Sequence, residues 1–467
     1  MTEAVAQRPL VSPRRLIAPL ALAQFICSFA GSNMNVMIND ISDDLDTTVK
    51  GVQTAITLFL LIMAILMIPC SKLTDRWGRK RCFLWGLSLY GVGALLSAVA
   101  PNLGVLILGN SVFEGVGTAL LIPPVYILAT LWFSDMTSRA WAFGAISGLG
   151  GIGAAAGPLI GGVITTGISW RAAFVFQALV VGTIILLSRR MVDPLSADPS
   201  RPFDLAGAIL SGVGMFCVVF GILQAGSNNA LFAVFVGIGA ALLGWFFFYI
   251  RSRERAGKEA LLSTGLFKNR TSNLALITQN IQWLLLMGTS FVVSVFLQEV
   301  RGYSAIKTGV TFTAATLGIL FSSLAAERLA KRYPQSKLIV AGFVVTLVGI
   351  ALLLVLVPAW DSIAAFVPGL ALVGLGLGGM LTPSVNVVQS SFPERLQGEI
   401  SGLSRSVSNL GSSFGTAIAG TILISVVATG NRAYAWALAA LIVFGLVGLG
   451  AALFLPSKLD RHAPASD

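Results

Sequence analysis

Apolar runs of about 20 residues recur along almost the whole chain, separated by short polar segments. Crossing a hydrocarbon layer about 30 Å thick as a helix takes roughly 20 apolar residues, and only helices or closed barrels satisfy the backbone there. The runs here are of helix length. They fall at about 16–39, 52–71, 83–100, 103–131, 141–165, 172–188, 204–224, 230–250, 272–297, 306–327, 338–357, 362–388, 400–427 and 433–455, which predicts an all-α membrane protein with fourteen spans. An even count puts both termini on one side of the bilayer.

Composition excludes the main alternatives. Charged residues make up 11% of the chain and hydrophobic ones 55%, against about 25% charged in a soluble domain, so a soluble enzyme is ruled out. The net charge of +11 does not point to nucleic acid, because the basic residues stand in short clusters between apolar runs rather than on one domain face. Cys27, Cys70, Cys82 and Cys217 lie in or beside apolar runs without metal-ligand spacing, so neither a disulfide framework nor a metal site is expected. No nucleotide-binding loop or nucleophile arrangement stands out, and no cofactor is expected. The basic N-terminus leads into an apolar stretch with no small-residue cleavage site, which reads as an uncleaved first span.

Sidedness follows from Lys and Arg. Loops taken alternately place all of the 31 basic residues except Lys50, Arg171, Arg301, Lys307 and Arg432 on the side of the termini. The positive-inside rule makes that side cytoplasmic, with the plasma membrane as the expected location. The longest polar interruptions, 189–203 and 251–271, bracket two mid-chain helices. A 6 + 2 + 6 order results: an N-terminal six-helix bundle at 1–190, an inserted helix pair with its linker at 191–255, and a C-terminal six-helix bundle at 256–467. Similar passages after the second and tenth spans, at 71–81 and 326–337, are what two related halves leave behind.

The passage Ser71-Lys-Leu-Thr-Asp75-Arg76-Trp77-Gly78-Arg79-Lys80-Arg81 closely resembles the signature loop between helices 2 and 3 of the major facilitator superfamily, with Ser71 where Gly is usual. Asp75 at a helix end can pair with Arg79 or with a cation from a neighbouring helix, Arg139 being one, so Asp75, Arg76, Gly78, Arg79 and Arg139 form a candidate conformational gate. The bland reading is topological anchoring through lipid headgroups. In helix 5, Gly153, Gly157 and Gly161 are four apart and clear one face for a close neighbour, while Pro158 removes a backbone donor and favours a kink. With Gly162 and the trailing Trp170-Arg171, this segment looks like the antiporter motif of drug exporters in that superfamily.

Together with Phe203-Asp204 opening helix 7 and Phe267-Lys-Asn-Arg270 before helix 9, these passages resemble the fourteen-spanner drug:proton antiporter family over nearly the whole chain. The resemblance implies two six-helix bundles around a central cavity, helices 7 and 8 inserted between them, and export of amphipathic small molecules in exchange for protons by a protein that is usually a monomer. Two positions depart from the family pattern. Ala30 stands where helix 1 usually has an Asp, and Ser111 stands where helix 4 usually has an Arg.

Other polar residues occupy those helices. Gln24, Ser28, Ser32, Asn35 and Asn39 recur every three or four residues along helix 1. Such a stripe either lines a water-filled substrate cavity or bonds helix to helix. Glu114 lies about eleven residues from the outer end of helix 4, roughly 16 Å at 1.5 Å per residue, the only acidic residue at that depth. A carboxyl there loses its hydration, so its charged form is costly and its protonation can follow the side to which it opens; it is the candidate for proton coupling. The structural alternative is a permanently neutral Glu bonded to a neighbour. Gln279, Asn280, Gln282 and Trp283 in helix 9 and Asn386 and Gln389 in helix 12 are further cavity candidates. Arg405 near the inner end of helix 13 snorkels or pairs with Glu399, and His462 sits in a polar tail. The expected function is secondary active export with protons; the alternatives are a carrier without proton coupling or with another ion and, more remotely, a receptor or scaffold on a transporter fold.

Overall fold

The computed structural model describes residues 13–456 except 134–135, 190, 226, 331, 361, 393–395 and 426–430. Its long helices are α1 Pro13–Asn33, α2 Val49–Trp77, α3 Arg79–Ala98, α4 Leu103–Trp132, α5 Met136–Gly167, α6 Trp170–Ser188, α7 Leu205–Gln224, α8 Asn229–Arg255, α9 Arg270–Val300, α10 Ala305–Ala330, α11 Gln335–Ala359, α12 Val367–Ser390, α13 Gln397–Ser425 and α14 Asn431–Leu453. Twelve of these helices are long and apolar enough to cross a membrane alone. The other two are informative. In α5 the pieces Gly144–Ala154 and Ala156–Gly167 meet at 45° and qualify only together. The bend comes just before Pro158, whose missing N–H and ring disrupt the preceding turn. Helix α13 carries a run of serines, which is tolerable because it is packed between α2 and α9, where Ser406 Oγ donates to the Ala64 carbonyl at 2.6 Å and Ser413 Oγ to that of Thr57 at 3.2 Å.

Helix starts follow capping chemistry. Thr48, Asn102, Ser169, Asp204, Asn228 and Asn269 each accept a backbone N–H from the first turn of the helix they precede. Gly78 separates α2 from α3 at φ 94°, a left-handed position that favours glycine.

The two halves repeat one packing device. A Cβ on Gly86 would lie 2.7 Å from the Gly117 carbonyl, and one on Gly93 would lie 2.6 Å from that of Gly109, so α3 and α4 touch backbone to backbone. Eight helices later, Gly342 meets the Gly376 carbonyl at 2.8 Å and Gly349 that of Gly369 at 2.7 Å between α11 and α12. The glycines are seven apart on α3, α11 and α12 but eight apart on α4. The extra residue is absorbed by π-helical turns over Ile107–Glu114.

The bundles meet along two seams. One, α2 against α13, is joined from end to end: Gln53 Nε2 donates to the Thr416 carbonyl at 3.0 Å near one end, and Lys72 pairs with Glu399 at 2.7 Å near the other. The inserted α7 packs on this seam, where Leu61, Val219, Leu223 and Ala417 form a buried cluster, and α8 packs on α7. The second seam, α5 against α10, is joined at the end away from the basic loops, where the Ile306 amide donates to Thr166 Oγ1 at 3.0 Å and Gly162 lies against the Ala305 carbonyl. Gly144, Gly148 and Gly151 continue the α5 face that holds Pro158 and Gly162, at 100° per residue. Among the described residues, none would lie within 4 Å of a Cβ on any of the three. The cleft is therefore closed at the end lean in charge and parted at the basic end.

Candidate functional site

A chain of polar groups crosses the parted half. Arg405 of α13 donates from Nη2 to the Tyr126 hydroxyl of α4, with its guanidinium carbon 4.4 Å from the tyrosine ring centroid. That hydroxyl donates to Gln24 Oε1 on α1 at 3.1 Å, and Gln24 Nε2 donates to Ser28 Oγ at 3.2 Å. Of the two expected fates of Arg405, snorkelling or pairing with Glu399, the second does not occur: Glu399 holds Lys72 and accepts the Ser263 amide at 3.1 Å. Among the described residues no carboxylate pairs with Arg405. Tyr126 sits within an apolar run, and nothing in its local sequence marks it.

The rest of the helix 1 stripe lies in the joined half. Ser32 Oγ bonds back to the Ser28 and Phe29 carbonyls and borders, with Pro158, Ser290 and Phe312, a hollow of about 40 Å³ between the bundles. Asn35 Nδ2 donates to Ser290 Oγ at 3.1 Å, and Gln298 Nε2 of α9 donates to the Asn35 carbonyl at 2.9 Å. The Asn39 amide donates to Gln298 Oε1 at 3.3 Å. The stripe does not run down one continuous face, because α1 gives way to a 3-10 turn at Met34–Val36.

The C-terminal candidates separate in the same way. Gln279 Oε1 accepts from Ser404 Oγ at 2.9 Å and Asn280 Nδ2 donates to the Val407 carbonyl at 2.8 Å, both between α9 and α13. Gln282 is buried against α12, with Nε2 3.5 Å from the Leu377 carbonyl. Trp283 is half-buried against the core. Asn386 is exposed on the side of α12 opposite Val373, which borders the small hollow. Gln389 Nε2 reaches Ser401 Oγ at 3.4 Å.

Glu114 is fully buried, but it faces α3 rather than the cleft. The hydroxyls of Tyr90 and Ser97 on α3 stand beside its carboxyl, and among the described residues neither carboxyl oxygen has a partner in good hydrogen-bond geometry. Tyr90 donates to Gln177 Oε1 on α6. Asn33, Asn110 and Gln177 also have buried polar atoms without partners among the described residues, so the N-terminal bundle encloses a polar core. The π-helical turns that end at Glu114 reset the register of α4, which spacing along the sequence does not reveal. Ser111, at the position of the usual Arg, donates to the Ala55 carbonyl on α2 at 2.8 Å.

At the basic end, Asp75 accepts from Arg79 Nη2 at 2.5 Å and from Arg201 Nη1 at 2.8 Å. Arg201 belongs to the linker before α7, and so does Asp193, whose Oδ2 accepts the Arg79 and Lys80 amides at 2.7 and 3.2 Å. Asp193 thereby caps α3 from outside, beside Gly78. Arg76 is half-buried, and the Arg139 side chain lies outside the described residues, as does His462. Asp204, at the end of that linker, ties α7, α8 and the loop after α8 together, accepting from the Gly207 and Leu261 amides and the Tyr249 hydroxyl at 3.0 to 3.1 Å.

The glycine face of α5 meets α1: Gly153 lies against the Phe25 carbonyl, Gly157 against Ser32 and Gly161 against Asn33. Past the end of α5, Trp170 Nε1 donates to Asp44 Oδ2 at 3.1 Å and Arg171 pairs with the same carboxylate. The Arg171 hydrogen bond, aided by Trp170, holds the Asp44 carboxyl below its ordinary range.

The comparisons with known proteins agree with this architecture. The family profile of the Major Facilitator Superfamily matches residues 20–416. The puromycin resistance protein pur8 of Streptomyces alboniger is 28% identical over 418 residues, covering 88% of this chain and 82% of that protein. The multidrug efflux pump LfrA of Mycolicibacterium smegmatis is 28% identical over 411 residues, 87% of this chain and 80% of the pump. A crystal structure of the peptide transporter POT in complex with alafosfalin superposes with a TM-score of 0.69 at 14% identity, covering 95% of this chain and 99% of that one, a likeness of fold. With its two six-helix bundles and inserted pair, this chain belongs to the major facilitator superfamily and is a membrane transporter rather than an enzyme.

Proposed function

We propose that the protein exports amphipathic, drug-like molecules from the cytoplasm by alternating access, in exchange for protons. The observation that carries this reading is the asymmetry of the α5–α10 seam, joined at Gly162 and Ala305 and parted at Gly144, Gly148 and Gly151, with the Arg405–Tyr126–Gln24 chain between the bundles in the parted half. The puromycin resistance in the name of pur8 and the multidrug efflux in that of LfrA support the drug class. Both termini and the basic loops are cytoplasmic in this reading, so the cleft opens inward. A cysteine at position 258 reacts with an impermeant thiol reagent only after permeabilisation; labelling in intact cells inverts the topology. The four native cysteines are buried and leave little background.

Glu114 is the proton-coupling group of this proposal. Glu114→Gln keeps size and fixes the neutral state, so the expected result is loss of pH-driven uptake into inverted vesicles with the protein still folded. Unchanged pH-dependent uptake in the variant removes Glu114 from the mechanism. A second reading, a carrier without proton coupling, is favoured by the direction of Glu114, which faces α3 away from the cleft, and by Ala30 and Ser111. Uptake by the wild type that ignores the gradient selects it.

A further inference from the structure

Helix α8 is almost unclothed by protein: only 11% of its apolar stretch is buried, and Trp245 and Phe248 are more than 60% exposed. In a bilayer that surface is covered by acyl chains. Phe247, Arg251 and Arg255 follow at intervals of four and share one face of the helix, each about 6 Å further toward the basic end. The 3-10 helix Thr264–Lys268 lies opposite. Between the two is an open hollow of about 490 Å³ bordered by Arg251, Arg255, Lys268, Phe247 and Phe267. The two phenylalanine rings meet edge to face at 6.1 Å and form its base. The one carboxylate in the lining, Glu254, is occupied by the Thr264 amide at 2.7 Å and the Thr264 hydroxyl. Three cations thus face a space with one carboxylate already engaged, above an aromatic base continuous with an acyl-covered helix.

We propose that this hollow binds the phosphate headgroup of an anionic phospholipid, whose acyl chains lie along the exposed face of α8. Cations at the headgroup level attract anionic lipid, and guanidinium groups suit phosphate geometry. The aromatic base and the lipid-facing helix below it favour a lipid over free phosphate, because a soluble anion gains nothing from them. The site is separate from the cleft between the bundles and does not depend on what the cleft carries.

The test uses the full-length protein purified in detergent. Phosphatidylglycerol is expected to raise the unfolding temperature by about 3 °C, while phosphatidylcholine and soluble glycerol phosphate at equal concentration do not. Arg251, Arg255 and Lys268 are exposed, so the combined variant Arg251→Gln/Arg255→Gln/Lys268→Gln folds and loses the shift. Lys258→Gln/Arg270→Gln, exposed basic positions outside the hollow, keeps it. An equal shift in the triple variant, an equal loss in the control, or an equal shift from glycerol phosphate or phosphatidylcholine overturns the assignment.

Discussion

Arg405 and Tyr126 join the two bundles as a cation over an aromatic face, 4.4 Å from guanidinium carbon to ring centroid, with a hydrogen bond from the first to the hydroxyl of the second. The same hydroxyl holds Gln24, so one oxygen serves three helices. Tyr126→Phe keeps the ring and removes that oxygen. A half-buried hydrogen bond to a charged group is worth about 1.5–3 kcal/mol, so drug efflux from cells expressing the variant should fall about tenfold or more at unchanged expression. Wild-type efflux would show that the junction is not used during turnover.

Gly157 faces Ser32 with no room for a side chain; a Cβ would lie 3.2 Å from that of Ser32 and 3.3 Å from the Phe29 carbonyl. Overpacking of this kind costs about 1–3 kcal/mol. Gly157→Leu should pry α1 from α5 next to the small hollow between the bundles, giving a protein that reaches the membrane, unfolds at lower temperature and transports poorly. Gly148→Ala, where nothing among the described residues stands within 4 Å, should not lower the unfolding temperature and can raise it slightly, since Ala suits a helix interior better than Gly.

Asp44 links the short helix Ile38–Asp44 to Trp170 and Arg171. Because its folded carboxyl is held below the ordinary range by Arg171, the pairing is fully present at neutral pH and is lost as acid protonates the folded form. Both side chains are more than a third exposed, so screening keeps the contribution below about 1 kcal/mol. The wild type should lose a small increment of thermal stability between pH 7 and the acid side of the carboxylate range. Asp44→Asn should lack that increment throughout, and an equal acid loss in the variant would assign it to other groups.

Chain length and hydropathy made the spans legible, since a helix that crosses lipid must be about 20 residues long and apolar. The glycine face of α5 was equally plain, because it depends on residues one helical turn apart, whereas α2 runs on to Trp77, past the end at about 71 that hydropathy alone suggests. The direction of Glu114 was not, since one added residue taken up by π turns rotates everything beyond it. Nor was the division of the helix 1 stripe, which needs the 3-10 turn at Met34–Val36. Arg201, Asp193 and Tyr126 were missed for another reason. Their partners Asp75, Arg79 and Arg405 lie more than a hundred residues away, and only the folded chain brings them together.

The inserted pair has a consequence of its own. Helix α7 is bound to the seam between α2 and α13 that is joined along its whole length, and α8 covers α7 in turn. That flank is walled from lipid, while the flank between α5 and α10 carries exposed positions such as Phe321 and Leu324. The two flanks of the bundle interface are therefore unlike: a molecule dissolved in the bilayer meets the inserted helices on one side and α5 and α10 themselves on the other.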